Sequence, residues 1–214
     1  MERPYPDRAA AGRALAAELG EIPGPVLVLG LARGGVPVAA PIADALGAKL
    51  DVLIVRKLGL PGQPELAMGA VAGVGDEIHV VRNEPVLAGV AEDELADVLE
   101  EETRELRRRE QAYRGGRPAV DVRGRVVILV DDGLATGSTM RAAVAAVRRL
   151  GPKRVIVAVP VGGADSCRRL AHVADEVVCA WKPYYYAAVG QAYRDFSPVE
   201  DDEVRRVLAS RQMT

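Results

Sequence analysis

Cysteine and histidine are scarce in this sequence, with two of each among 214 residues. Cys167 lies on a predicted helix and Cys179 in a predicted strand, so the pair provides neither a disulfide framework nor a zinc-ligand spacing. We interpret both as reduced residues of the core. His79 and His172 stand apart, without carboxylate or cysteine partners at ligand spacing, which favours structural roles for both.

Long apolar runs are also lacking, and the net charge is small. The longest runs, Pro25 to Ala32 and Val126 to Val130, are far shorter than the roughly 20 residues that cross a bilayer, and both indicate buried strands. The segment Met1 to Arg13 has no apolar stretch of the signal-peptide type, so we expect a cytoplasmic protein without a membrane partner. A formal charge of −2 gives no overall attraction to nucleic acid, and we expect no such partner.

Predicted strands and helices alternate along most of the chain. Hydrophobic residues make up 49% of the sequence, which is enough for one core, and we expect residues 1–214 to form a single domain. The predicted strands are 26–31, 50–55, 70–74, 78–81, 126–130, 155–159 and 176–180, the third and fourth pairing through a turn at Gly75-Asp76. The predicted helices are 8–19 after an Asp7 cap, 36–46, 92–113, 138–150, 165–172, and a last one with a capping box of Ser197 and Glu200. This order predicts an α/β fold with an open parallel sheet flanked by helices.

Ligands of open parallel sheets bind beyond the carboxyl ends of the strands. In this sequence those ends are followed by the segments 32–35, 56–68, 131–139 and 160–163. The segment Arg56 to Met68 contains glycines and prolines, and we interpret it as a long irregular loop. Loops of that length inside a domain are more often functional than structural.

The most informative segment runs from Val127 to Thr139, where a hydrophobic strand ends in two acids and a turn rich in glycine and hydroxyl groups. Ser138 and Thr139 open a helix, so backbone N–H groups and the helix dipole converge there on an anion site. The acids Asp131 and Asp132 would repel that anion, and they therefore require hydrogen-bond donors or positive charge. A sugar diol with a metal ion nearby meets that requirement.

Other phosphate-binding motifs fit these residues less well. A P-loop has a lysine before its Ser/Thr, and the turn before Ser138 has none. The stretch Gly30 to Gly35 lacks the G-x-G-x-x-G spacing of a dinucleotide-binding fold. A solvated turn with an ordinary helix cap would explain one polar residue in the segment 131–139, not six.

The same segment resembles the phosphoribosyl-diphosphate signature of the type I phosphoribosyltransferases, in which hydrophobic residues precede two acids and a T-G-S/T turn. The resemblance implies that Asp131 and Asp132 hold the ribose hydroxyls of 5-phosphoribosyl 1-diphosphate. It also implies that the 5-phosphate is bound by the turn, whose residues are Ala135, Thr136, Gly137, Ser138 and Thr139.

Two further segments extend the resemblance. Leu31 to Gly35 is similar to the family's diphosphate-binding loop, which implies diphosphate contacts from Ala32, Arg33, Gly34 and Gly35. Lys57, with the loop that follows it, is similar to the mobile catalytic loop. Without the resemblance, Arg33 and Lys57 could be plain surface charges, and Glu65 is as suited to anchoring its own loop as to touching substrate. The strings Arg56-Lys-Leu-Gly and Pro64 to Gly69 are similar to those of a poorly characterised bacterial subgroup of the family.

The family's reaction displaces diphosphate from the anomeric carbon of ribose by a nucleophile, usually a base nitrogen. The resemblance implies Mg²⁺ as cofactor, held through the substrate and by Asp131 or Asp132. Together with Arg33 and Lys57, the ion would neutralise the departing diphosphate. Asp132 could also stabilise the cation-like ribose.

The aromatic residues are few, 4% of the sequence, and most of them lie between residues 181 and 196. In the family a small hood built from terminal segments determines the acceptor, which here implies residues 1–20 and 160–200. The candidates for stacking on a planar acceptor are Trp181, Lys182, Tyr184, Tyr185, Tyr186, Tyr193 and Phe196. A minor hydrophobic core that holds the last helix explains the cluster equally well. The segment Val161-Gly162-Gly163 could leave room for the acceptor ring.

The sequence leaves three functions open. The first is transfer of phosphoribose to a nitrogen heterocycle, for which we expect a nucleobase. The second is a regulatory module that senses phosphoribosyl diphosphate without turnover, although no DNA-binding segment is evident. The third is hydrolysis of the same ligand. The arginines between Arg104 and Arg117 alternate with glutamates, which is typical of a solvated helix face, although an arm reaching a neighbour's site in a homodimer is an alternative.

Overall fold

The computed structural model describes residues 4–74 and 77–211, without the side chains of Pro64, Glu65 and Val74. The predicted turn at Gly75-Asp76 and the contacts of Glu65 lie outside that description. The strands are β1 (Val26–Leu31), β2 (Lys49–Leu60), β3 (Gln63–Val74), β4 (Glu77–Arg82), β5 (Val126–Val130), β6 (Arg154–Val161) and β7 (Glu176–Trp181). The α-helices are α1 (Arg8–Leu19), α2 (Gly35–Leu46), α3 (Glu84–Leu87), α4 (Glu92–Arg114), α5 (Ser138–Arg149), α6 (Ala164–Leu170) and α7 (Asp201–Ala209), and Val189–Ala192 is a 3₁₀ helix.

The strands form one seven-stranded sheet in the order β4-β3-β2-β1-β5-β6-β7. Five neighbouring strands of this sheet are parallel, namely β2, β1, β5, β6 and β7. Gly30 of β1 pairs with Val52 on one side and Val130 on the other. The pairings of β3 with β2 and β4 are antiparallel. The predicted α/β fold with a helix-flanked sheet is confirmed, and its parallel part carries a two-stranded antiparallel extension at one edge.

The segment Arg56 to Met68 is not the irregular loop that the sequence predicts. It forms the ends of β2 and β3, joined by a tight turn in which Gly62 has a φ of 77°. Leu58 and Met68 are fully buried, so their packing keeps both strands in register through a bulge at Gly59. The glycines and the proline that predicted a loop belong instead to the bulge at Gly59 and to the hairpin turn at Pro61 and Gly62.

The last helix also begins later than predicted. α7 starts after Glu200, and Ser197 is not its cap, because the Ser197 hydroxyl donates to Oδ1 of Asp195 at 2.6 Å. Three acids in the first turn of α7, Asp201 among them, favour its N-terminus through the helix dipole.

Helices cover both faces of the sheet. Leu27 and Leu29 of β1 pack in a cluster with α5 and α6, whereas Val28 packs on the opposite face with α1 and α2. A third cluster joins β2 and β3 to α4 and α7. Cys167 and Cys179 are free thiols in or against the first cluster, in agreement with the predicted core role.

None of the helices in the described residues has both the length and the apolar character needed to cross a membrane.

Candidate functional site

Two of the predicted loops meet at the carboxyl ends of β1 and β5. A Cβ atom at Gly34 would lie 2.7 Å from Cγ of Asp132, closer than real Cβ contacts allow. A Cβ at Gly35 would lie 3.0 Å from Cα of Asp131. The loop 32–35, in which the Ala32–Arg33 peptide is cis, is therefore packed directly against the acid pair. Glycine is required at Gly34 because any side chain there would displace the carboxylate.

The acid pair is electrostatically unusual. Burial raises the pKa of Asp131 well above its ordinary value, and repulsion from Asp132 adds to that rise. Oδ1 of Asp131 accepts a hydrogen bond from the backbone N–H of Asp132 at 2.8 Å. The pKa of Asp132 is also raised by burial, while the guanidinium of Arg8 opposes that rise. Two desolvated carboxylates side by side favour a ligand that brings hydroxyl donors or positive charge.

Arg8, the first residue of α1, is a site residue that sequence reasoning missed. Its Nε lies 2.9 Å from Oδ2 of Asp132, and its Nη1 donates to the carbonyl of Ser197 at 2.9 Å. The guanidinium also lies over the ring of Phe196, 4.1 Å from the centroid. Arg8 and Asp132 are 124 positions apart, so no local motif could have joined them.

The turn after the acid pair leads into the N-terminus of α5. Gly137, with a φ of 78°, precedes the first residue of α5, and the first turn of that helix contains no acid. Residues 135, 136, 138 and 139 are exposed. Oγ1 of Thr136 and Oγ of Ser138 lie 3.1 Å apart, and Oγ1 of Thr136 also accepts a hydrogen bond from the backbone N–H of Ser138 at 3.4 Å. Both hydroxyls therefore lie at the helix N-terminus, the end of a helix that favours anions.

Helix α6 supports this turn from behind, which the sequence did not indicate. Oγ of Ser166 donates to the carbonyl of Ala135 at 2.7 Å, and Nη2 of Arg169 donates to the same Oγ at 3.0 Å. Arg169 also donates to the carbonyl of Thr136 at 3.4 Å. The carbonyls of Ala135 and Thr136 are thereby engaged on the α6 side of the turn.

The two predicted cations have different surroundings. Lys57 is exposed on β2 and lines a groove of about 720 Å³ between the antiparallel strands and α5, together with Ser138 and Thr139. Nη1 of Arg33 lies 3.6 Å from carboxylates of both Glu200 and Asp201 at the start of α7. The ion pairs of Arg33 in this structure are therefore with α7 and not with the acid pair.

The terminal segments meet beside the acid pair. The N–H of Tyr5 donates to the carbonyl of Ala192 at 3.0 Å, and the N–H of Arg194 donates to the carbonyl of Tyr5 at 2.9 Å. Tyr193 is fully buried, stacks on Phe196 at 5.1 Å, and donates its hydroxyl to the carbonyl of Asp132 at 2.7 Å. This residue thus belongs to a small core that supports the acid pair.

The other predicted hood aromatics divide into two groups. Trp181 and Tyr186 pack against the same small core, and Tyr186 also lies beside Gly163. The Tyr186 hydroxyl is buried without a hydrogen-bond partner among the described residues, and burial raises its pKa. Tyr184 and Tyr185 are 92% and 73% exposed and contact each other edge to face. Among these aromatic residues, Tyr186 lies beside Gly163 and also has a hydroxyl without a hydrogen-bond partner among the described residues.

A family model described as "Phosphoribosyl transferase domain" matches residues 5–188, and thus covers the acid pair, the turn and the glycine loop. The chain belongs to the phosphoribosyltransferase family. The resemblance found in its sequence is confirmed.

Similar proteins agree with the match. Two Mycobacterium tuberculosis proteins, from strains CDC 1551 and H37Rv, both bear the name "Putative phosphoribosyl transferase" and are 48% identical over 94% of this chain. The match covers 45% of each of those proteins, so this phosphoribosyltransferase chain spans about half the length of its curated relatives. The crystal structure of TT1426 from Thermus thermophilus is similar with a TM-score of 0.82 and 44% identity, covering 96% of this chain and 98% of that one.

Proposed function

We propose that the chain transfers the phosphoribosyl group of 5-phosphoribosyl 1-diphosphate to a nitrogen heterocycle, with a nucleobase as the expected acceptor and diphosphate as the product. The observation that carries the proposal is the contact between three elements: the partly buried acid pair, the turn that follows it, and the glycine loop packed on Asp132. Phosphate, ribose and diphosphate are the three parts of this ligand, and each element suits one of them.

The assignment of parts follows the chemistry of each element. The 5-phosphate binds the turn of residues 135–139 through backbone N–H groups and the hydroxyls of Thr136, Ser138 and Thr139. The ribose hydroxyls donate to Asp131 and Asp132, whose burial leaves few water molecules to compete. The diphosphate faces residues 32–35 and Lys57. Arg33 would exchange its contacts with α7 for the diphosphate when the ligand binds.

Mg²⁺ fits this arrangement as a companion of the ligand. Among residues 4–74 and 77–211 there is no cluster of three or more histidine, cysteine, aspartate or glutamate side chains that could hold a metal by itself. Asp131 and Asp132 are hard oxygen donors, and ribose hydroxyls and diphosphate oxygens would supply the remaining positions. When bound there, the ion neutralises charge on the departing diphosphate.

In the proposed reaction the bond between the anomeric carbon and the diphosphate oxygen breaks as the lone pair of an acceptor nitrogen forms the new bond. Positive charge develops on the ribose ring, and the carboxylate of Asp132 stabilises it. The electron pair of the broken bond leaves on diphosphate, facing Arg33 and Lys57. The acceptor nitrogen then loses its proton to solvent.

The acceptor is proposed to bind between the glycines of 162–163 and the hood. Among the hood candidates Trp181, Tyr184, Tyr186 and Tyr193, the buried and unpartnered hydroxyl of Tyr186 is the best placed to take a hydrogen bond from a ring nitrogen or to donate one. Tyr193 instead supports the site through the carbonyl of Asp132.

The test measures diphosphate release from protein, Mg²⁺ and phosphoribosyl diphosphate, with and without each of several pools of heterocycles. Release that depends on one pool supports transfer and leads to the acceptor by subdivision of that pool. Release that is equal in every mixture means hydrolysis. Tight binding without release from any mixture means a sensing module, and either of these results overturns the proposal.

A further inference from the structure

Arg8 is not part of the sequence motif, yet it contacts the same carboxylate that the proposed function assigns to ribose. Its side chain is 12% exposed and that of Asp132 is 15% exposed, so the ion pair is shielded from solvent on both sides. Partial burial makes such a pair stronger than a surface salt bridge, and it also makes the loss of one partner costly.

The ion pair fixes one oxygen of the carboxylate. Oδ2 of Asp132 accepts from Nε of Arg8 and lies against Gly34, whereas Oδ1 lies farther from the glycine position. A carboxylate held through Oδ2 cannot rotate freely, and Oδ1 is then the oxygen that a ribose hydroxyl can take. Without Arg8 the plane of the carboxylate could turn about the Cβ–Cγ bond, and the lone pairs that face the sugar would no longer have a fixed direction.

Arg8 is itself held in place by three different groups. The carbonyl of Ser197 accepts a hydrogen bond from its Nη1, and the Phe196 ring covers one face of the guanidinium. The centroid of the Tyr193 ring lies 5.8 Å from the guanidinium carbon. A lysine could retain the charge at this position, but it could not make the planar contacts together with both hydrogen bonds. The segment around Ser197 thus fixes the orientation in which the Arg8 guanidinium donates to Asp132.

We propose that Arg8 is a positioning residue for ribose recognition: it holds Asp132 through Oδ2 so that Oδ1 faces the sugar hydroxyls. This inference rests on the proposed function, because it assumes that the acid pair binds ribose. It predicts that Arg8 controls the preference of the site for a diol and leaves phosphate binding at residues 135–139 unchanged.

The experiment compares two probes that differ only in the hydroxyls. One is 1,4-anhydroribitol 5-phosphate, and the other is tetrahydrofurfuryl phosphate, which has the same ring and phosphate but neither hydroxyl. Their Kd values are measured by calorimetry for the wild-type chain and for Arg8→Met, Arg8→Lys and Arg194→Met. Arg194 lies next to Tyr193 in the segment after β7, and its side chain makes no hydrogen bond or ion pair with another described residue, so Arg194→Met is a control for lost charge.

We expect the wild-type chain and Arg194→Met to bind the diol probe at least about tenfold more tightly, as hydrogen bonds to a charged acceptor allow. Arg8→Met should reduce this preference to within about threefold, and Arg8→Lys should restore part of it. The Kd of tetrahydrofurfuryl phosphate should stay within about twofold in all variants, because that probe depends on the turn alone. A purely structural role for Arg8 would weaken both probes alike.

The failures are distinguishable. A wild-type chain without preference for the diol means that the acid pair does not bind ribose, which contradicts the proposed function. A wild-type preference that Arg8→Met retains overturns the positioning role alone.

If Arg8→Met loses its native circular dichroism, a second variant, Phe196→Leu, decides instead. It removes the ring under the guanidinium and keeps the charges of both Arg8 and Asp132. The preference should then fall at least about threefold, and an unchanged preference would refute the inference.

Discussion

At the scale of single residues, Gly34 and Asp132 approach each other more closely than any side chain at position 34 would allow. We predict that Gly34→Ala displaces the Asp132 carboxylate, since a Cβ would lie 2.7 Å from its Cγ. The affinity for phosphoribosyl diphosphate should fall by at least about tenfold, the equivalent of one lost charged hydrogen bond. Gly89→Ala is the control, because a Cβ there meets no atom within 4 Å. Equal affinities for both variants in a titration would mean that Asp132 does not bind this ligand.

The acid pair and the phosphate turn should differ in the kinetic step they serve. Asp132→Asn removes the charge that we propose stabilises positive ribose, so it should lower kcat by on the order of 10². Thr136→Ala removes one donor to a phosphate held equally in ground and transition states, so it should raise KM about tenfold, equivalent to ~1.4 kcal/mol. Steady-state kinetics on variants with native circular dichroism separates the two. A rise in KM alone for both variants would exclude a catalytic role for Asp132.

At the scale of secondary structure, α4 is tied to β2 by a buried ionic cluster. Arg114 contacts Asp51 at 3.1 Å, Glu110 at 3.0 Å and the carbonyl of Val52 at 2.8 Å, and the three charged side chains are each less than 10% exposed. Arg114→Met should destabilise the fold by about 3–5 kcal/mol, because it leaves the buried carboxylate of Asp51 without a cation and leaves Glu110 with Arg107 alone.

Urea unfolding is the measurement, with Arg104→Met as the control. Arg104 and its partner Glu100 are both more than 70% exposed, so this loss should change the free energy of unfolding by less than about 1 kcal/mol. Comparable losses in the two variants would contradict the importance of burial. The sequence alone did not separate the two arginines, because both lie among alternating charges on one helix, and Arg114 is an exception to the predicted solvated face.

The elements that the sequence predicted well are those whose burial is uniform. β5 and β6 are buried on both faces and appear as continuous apolar runs, and Asp7 caps α1 as expected. The β2–β3 hairpin was missed because its pairing partners, such as Lys57 with Ala70, are separated by glycine and proline that also occur in loops. Local chemistry does not show which of these two contexts applies.

Part of the candidate site could be predicted from the sequence and part could not. Asp131 to Thr139 is contiguous, so its acids and turn could be found in the sequence together. Arg8 and Ser166 reach that segment only through the sheet order, which places α1 and α6 beside the end of β5. Long-range contacts of this kind leave no periodic or spacing signal in a single sequence.

At the scale of the whole molecule, the two ends of the chain and the centre of the sheet meet at Asp132. The N-terminal segment supplies Arg8, the segment after β7 supplies Tyr193, and both contact this residue at the end of β5. A ligand that binds Asp132 therefore depends on the terminal segments being folded. Binding and global stability should be linked, because such a ligand binds the folded chain and not the unfolded one.

The last prediction follows from that linkage. Phosphoribosyl diphosphate with Mg²⁺, at 100 times its Kd, should stabilise the fold by ~2.7 kcal/mol. For a chain of this size each kcal/mol raises Tm by about 2–4 °C, so the expected shift is roughly 5–10 °C. Differential scanning fluorimetry with Mg²⁺ alone gives the baseline, and Gly89→Ala should show the full shift.

Gly34→Ala should show a smaller shift at the same ligand concentration, since a tenfold rise in Kd removes about 1.4 kcal/mol of the stabilisation. The comparison separates a ligand at the acid pair from one bound elsewhere, because only the former senses the added methyl group. Equal shifts in the two glycine variants would place the ligand away from Asp132. No shift in the wild-type chain at millimolar ligand would count against phosphoribosyl diphosphate as its substrate.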